Sequence, residues 1–162
     1  MSVEIRHSRK EDIPGIRDIY AQSSCYAETL QLPYPSIDKW EKFLGNIPEN
    51  FYSIVAVLDG KIVGQIGMEV FTNPRRKHVS NMGMAVSEEH QQSGVGSKLL
   101  EAMLDLAFNW LAIRRVELEV YTDNEKAIGV YEKFGFKVEG TARGYAFRDG
   151  KYADVHLMAK VA

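Results

Sequence analysis

A chain of 162 residues with 45% hydrophobic side chains can bury one sizeable core but not two, so a single domain over residues 1–162 is expected. Its net charge of −2 and pI near 6.1 give no electrostatic footprint for nucleic acid or an anionic membrane. There is no apolar run of membrane-spanning length, no signal-peptide core, a lone cysteine (Cys25) that forbids an intrachain disulfide, and no metal-ligand spacing among His7, His78, His90 and His156; a cytoplasmic protein without a metal site is expected.

In chain order, residues 3–7 read as a strand and residues 9–21 as a helix with Ile13, Ile16, Ile19 and Tyr20 near one face. Residues 22–35 read as irregular, and Ser36 caps a helix carrying Ile37, Trp40, Phe43 and Leu44. Trp40 and Phe43 suit either the core or a homodimer contact. Strands 52–58 and 61–71 join at Asp59-Gly60, a strong hairpin signal. Arg75-Arg76-Lys77 then reads as a solvated turn. Strand 78–86 leads to a glycine loop and a long helix ending near Leu111, with Val95, Leu99, Met103, Leu106 and Trp110 on its inner stripe. Strand 116–121 alternates cleanly, with Glu117, Glu119 and Tyr121 on its polar face. A short helix follows, with Thr122 or Asp123 as N-cap candidates and Gly135 at its left-handed end; two last strands flank Asp149-Gly150. This order predicts an α/β fold: a mixed, mostly antiparallel sheet of about seven strands flanked by about four helices.

The loop Gln91-Gln92-Ser93-Gly94-Val95-Gly96 lies between a strand and a helix N-terminus. Glycines there let successive N–H groups converge on one spot, where the helix macrodipole adds its positive end. Such a nest suits a phosphate or pyrophosphate. A dinucleotide fingerprint fits less well, because its third glycine would fall on Leu99.

Gln91, Gly94 and Gly96, followed at the expected separation by Asn124, Ala127, Tyr131, Gly135 and Phe136, resemble the two signatures of the GNAT superfamily of acetyl-CoA-dependent N-acetyltransferases. The resemblance covers nearly the whole chain. Residues 140–158, with Tyr145, Asp149-Gly150 and Tyr152-Ala153-Asp154, look like the branch of bacterial amino-acid, polyamine and ribosomal-protein N-acetyltransferases.

The resemblance implies that acetyl-CoA is the cosubstrate. Its pyrophosphate would rest on amides of Gln92, Ser93, Gly94, Val95, Gly96 and Ser97, while Met84, Ala85 and Val86 would pair with the pantetheine arm like a strand. Asn124 and Ala127 would line the arm's other side, and Met84 would donate to the developing oxyanion. Tyr131 falls in the position of the acid that protonates the leaving thiolate. For the base, Glu119 lies twelve positions before Tyr131, a spacing similar to the glutamate–tyrosine pair of ribosomal-protein alanine acetyltransferases; Glu69 ranks second and Glu117 third. Cys25 has no placed partner and reads as structural. Substrate choice is expected from Tyr26, Glu28, Tyr34 and Tyr145, with Leu32, Pro33 and Phe147 adding to an apolar rim. That rim suits a small-molecule amine such as a free amino acid; a polyamine, a protein N-terminus and a non-catalytic CoA sensor are the alternatives.

Overall fold

The computed structural model describes residues 2–162. Strand alternation and two tight hairpins build one sheet of seven strands: β1 (Glu4–His7), β2 (Phe51–Leu58), β3 (Lys61–Val70), β4 (Val79–Val86), β5 (Arg115–Tyr121), β6 (Lys137–Arg148) and β7 (Lys151–Val161). Asp59-Gly60 and Asp149-Gly150 turn the β2–β3 and β6–β7 hairpins, each with positive φ at both residues, as a two-residue turn that follows strand twist requires. The spatial order is β1-β2-β3-β4-β5-β7-β6, and β4–β5 is its parallel contact among antiparallel ones.

Helices cover both faces. On one face α1 (Ile13–Tyr20), α2 (Ser23–Tyr26) and α3 (Ile37–Gly45) bury Ile16, Ile19, Cys25 and Trp40 against Val55, Ile62 and Ala85. On the other, α4 (Val95–Asp105) and α5 (Glu125–Lys133) pack Leu99, Leu100, Met103 and Tyr131 against Ile66, Met82, Leu118 and Val120. Five helices thus stand where about four were expected, because the 22–35 segment contains the single turn α2. Trp40 is buried, so it serves the core rather than a dimer contact. No helix among the described residues is long and apolar enough to cross a membrane.

Two expectations need correction. The stripe of the long helix does not reach Trp110, which is 75% exposed. Leu106–Trp110 forms a π turn, with Leu111 N donating to Leu106 O at 3.0 Å, and the wider turn rotates the face so that Ala107 is buried instead. The N-cap of α5 is Asn124, whose side chain accepts from Ala127 N at 3.2 Å; Asp123 instead pairs with Arg148.

Candidate active site

The central feature is a split in the sheet. β4 and β5 pair only at Val79↔Arg115, Ser80↔Val116 and Asn81↔Glu117, then part, each following its own antiparallel partner. Ser87 N donates to Val63 O on β3 at 2.9 Å. By two-residue alternation Ala85 and Gly83 also direct their main-chain groups at β3, while Met84 and Val86 direct theirs into the gap. Gln91 closes the strand end, donating through Nε2 to Val86 O (3.1 Å) and Ser24 Oγ (3.3 Å). The Cys25 thiol also donates to Val86 O, at 3.3 Å; burial pushes that thiol's pKa up, which suits a structural rather than a nucleophilic role.

A cleft of about 700 Å³ runs through this split. At one end lies the glycine loop. Gly94 has φ +89°, a conformation that an L side chain adopts only with strain, and Gln92 has φ +62°. The first bond of α4 runs from Lys98 N to Gly94 O at 3.1 Å, so the amides of residues 94–97 have no main-chain acceptor. Gln92, Gly94, Gly96 and Ser97 line the cleft. Ser93 and Val95 do not: the Ser93 hydroxyl bonds to His90 O, and Val95 is buried beneath the loop.

Tyr131 reaches the cleft from the α4–α5 face. Its position is set by the way α5 ends: Gly135, at φ +93°, lets its own N–H bond to Glu132 O and lets Phe136 N bond to Tyr131 O, both at 3.0 Å. This is a Schellman motif, and its usual hydrophobic contact is the edge-on packing of Phe136 against Tyr131, ring centroids 5.7 Å apart. Burial pushes the Tyr131 phenol up to about 12. Asn124 and Ala127, from the first turn of the same helix, line the cleft beside it.

Glu119 lies on the opposite face of the sheet, since Val116, Leu118 and Val120 alternate into the core. Asn81 Nδ2 holds both of its carboxylate oxygens, at 3.2 and 3.0 Å. Glu69 pairs with Asn81 in register on β3, so the two candidate bases flank one amide. Sequence reasoning missed Asn81; the available signal was a polar residue alternating inside an apolar strand. Glu117 is bound to Arg115 at 2.7 Å and Arg76 at 3.2 Å, so it is committed to ion pairs; this also gives the basic turn its structural role.

The end of the cleft away from the glycine loop differs from expectation. Glu28 and Tyr145 line the cleft, but Tyr26 and Tyr34 do not. The turn α2 directs Ser24 and Cys25 at the cleft, Glu28 just beyond it also lines the cleft, and Tyr26 is rotated off that face. Tyr34 stands in solvent, 97% exposed, with φ +57°. Leu32, Pro33 and Phe147 are also absent from the lining. In their place Tyr20, Trp40, Phe43 and Phe51 supply an aromatic wall from α1, α3 and β2. Burial raises the pKa of Glu28, against the pull of Arg148 at 3.8 Å. Tyr145 is raised by burial and then by the Glu119 charge.

Comparison with known proteins agrees with this architecture. The Acetyltransferase (GNAT) family model matches residues 15–136. The L-amino acid N-acetyltransferase AaaT of Escherichia coli is 42% identical over 159 residues, covering 98% of each chain. The spermidine N(1)-acetyltransferase of the same species is 26% identical, over 97% of this chain and 84% of its own. Among solved structures, an N-acetyltransferase from Staphylococcus aureus superposes with a TM-score of 0.90 over 99% of both chains at 21% identity, a likeness of fold. The chain therefore belongs to the GNAT acetyltransferase family and is an N-acetyltransferase.

Proposed function

We propose that the chain moves an acetyl group from acetyl-CoA directly to the primary amine of a small molecule, a free amino acid. The observation that carries the mechanism is the approach of Tyr131 and Glu119 to one gap from opposite faces of the sheet. The choice of acceptor is supported by the 42% identity to an L-amino acid N-acetyltransferase along almost the whole chain.

The chain's own atoms fit acetyl-CoA. The unpartnered amides of residues 94–97 offer a cradle for its pyrophosphate, and an added Cβ at Gly94 would meet nothing within 4 Å, so the main chain is open to close approach. The gap-facing groups of Met84 and the Val86 amide can pair with the pantetheine arm; the Val86 carbonyl already accepts from Cys25 and Gln91. Asn124 uses its oxygen as the helix cap and lines the cleft beside the arm's path. The Met84 N–H stabilises charge developing on the thioester oxygen.

Amino-acid and polyamine nitrogens arrive mostly protonated. Glu119 removes a proton from the amine, directly or through water, with its carboxylate held by Asn81. Tyr131 then protonates the leaving thiolate, which would otherwise depart as an anion of pKa about 8.5 on the cysteine scale. Its buried phenol stays protonated across the physiological range.

A polyamine is the second reading. Glu28, Glu69 and Glu119 all line the cleft, a more acidic lining than the 22–35 segment alone suggests, and a spermidine acetyltransferase is among the relatives. Thiol release from acetyl-CoA with a panel of L-amino acids, spermidine and short peptides decides. Release with amino acids is expected; release with spermidine alone would favour the second reading.

Tyr131→Phe should lower turnover by roughly 10²- to 10⁴-fold with little change in KM for acetyl-CoA. Because the phenol's pKa is raised to about 12, the wild-type rate should rise with pH as the amine deprotonates and should show no Tyr131-dependent fall up to about pH 10. Near-normal turnover of the variant would return Tyr131 to a packing role.

Glu119→Gln should depress turnover most at neutral pH, remove or shift the acidic limb of the pH–rate profile, and be partly rescued at high pH. Glu69→Gln should do less. The reverse order would make Glu69 the base.

A further inference from the structure

Gly67 and Gly83 face each other across β3 and β4, and both line the cleft. Neither has a positive φ, so the backbone does not demand glycine at either position. Glycine inside a strand costs about 0.5–1 kcal/mol relative to alanine, and often marks the close approach of something else. At Gly67 that neighbour is visible: an added Cβ would lie 2.8 Å from Phe51 Cζ, so the ring occupies the space. At Gly83 an added Cβ would meet nothing within 4 Å, although β4 is an interior strand. Gly83 is a bare strip of main chain, bounded on its own face by the Glu69↔Asn81 pair, the Gln65↔Ala85 pair and the Phe51 ring.

The ring is held firmly. Phe51 packs on Phe43 (5.3 Å between centroids), Phe43 on Trp40 (6.2 Å), and Trp40 stacks on Tyr20 (4.9 Å). The Tyr20 hydroxyl donates to buried Gln65 at 2.8 Å, and Gln65 in turn donates to Ser53 at 3.0 Å. The chain of rings is therefore a fixed wall rather than an adjustable one. Gly83 precedes Met84, whose main-chain groups face the gap, so the strip lies directly beside the gap.

We propose that the Gly83 strip, walled by Phe51, is the subsite for the acceptor's side chain, and that it admits a large apolar group. This deepens the acetyltransferase reading above and rests on it. The missing Cβ supplies the depth and the aromatic ring supplies apolar contact, while Glu69 and Glu119, which flank Asn81, border the strip on the side where they would meet the acceptor's charged amine. No protein atom lies within 4 Å of an added Cβ at Gly83, so the space is open to the acceptor.

The test is kcat/KM for L-phenylalanine and for L-alanine, in wild type and in Gly83→Ala. One methyl placed in an apolar pocket changes discrimination by roughly 10- to 200-fold. The variant's preference for L-phenylalanine over L-alanine should therefore fall by about tenfold or more, with its melting temperature unchanged or raised and its KM for acetyl-CoA unchanged. An unchanged preference in an active variant, or a wild type that prefers L-alanine, would overturn the subsite alone. A wild type that acetylates neither amine would overturn the amino-acid reading and the subsite with it.

Discussion

The structure depends on a broken pairing. Three residues of parallel ladder join β4 to β5, and beyond Asn81 the two strands separate while each keeps its antiparallel neighbour. In the middle of a sheet, this leaves main-chain donors and acceptors facing a gap rather than a partner strand. Buried backbone groups need partners. Val86 O finds them in Cys25 and Gln91; the groups of Met84 face the cleft. The elements around the gap are fixed by their own local chemistry, the Schellman end of α5 for Tyr131 and the Asn81 amide for Glu119. A rigid sheet with one controlled defect can thus admit an extended ligand without unfolding any strand.

Charge sorting around the gap follows from which acids have cationic partners. Glu117 is bound to Arg115 and Arg76, and Glu28 leans on Arg148, which itself pairs with Asp123 and lies over the Tyr121 ring at 4.3 Å. Glu119 is held by a neutral amide, which orients a carboxylate without a neutralising charge. Four carboxylates of similar intrinsic acidity are thereby given different tasks, two of them in ion pairs and two beside Asn81 at the split.

What could be read from the sequence was what short-range chemistry encodes. The glycine loop, the helix start at Val95, the Asp59-Gly60 and Asp149-Gly150 hairpins and the Gly135 terminus each need only neighbouring residues, and the structure contains all of them. The 3.6-residue stripe of α4 holds as far as Leu106, where the π turn changes the period. Asn81, Phe51 and Gly83 matter through register across strands, which pattern reading does not supply. The aromatic character of the 22–35 segment points to Tyr26 and Tyr34 as acceptor contacts. A single turn of helix and a left-handed residue sent them elsewhere, and rings distant in sequence took their place.

Residue-specific amide hydrogen exchange with and without acetyl-CoA tests most directly whether the gap receives the cosubstrate as an added strand. The account predicts slower exchange on binding at the Met84 and Val86 amides together with those of residues 94–97, while β3-facing Ala85 changes little. Unchanged exchange at Met84 and Val86 in a protein saturated with acetyl-CoA would contradict it.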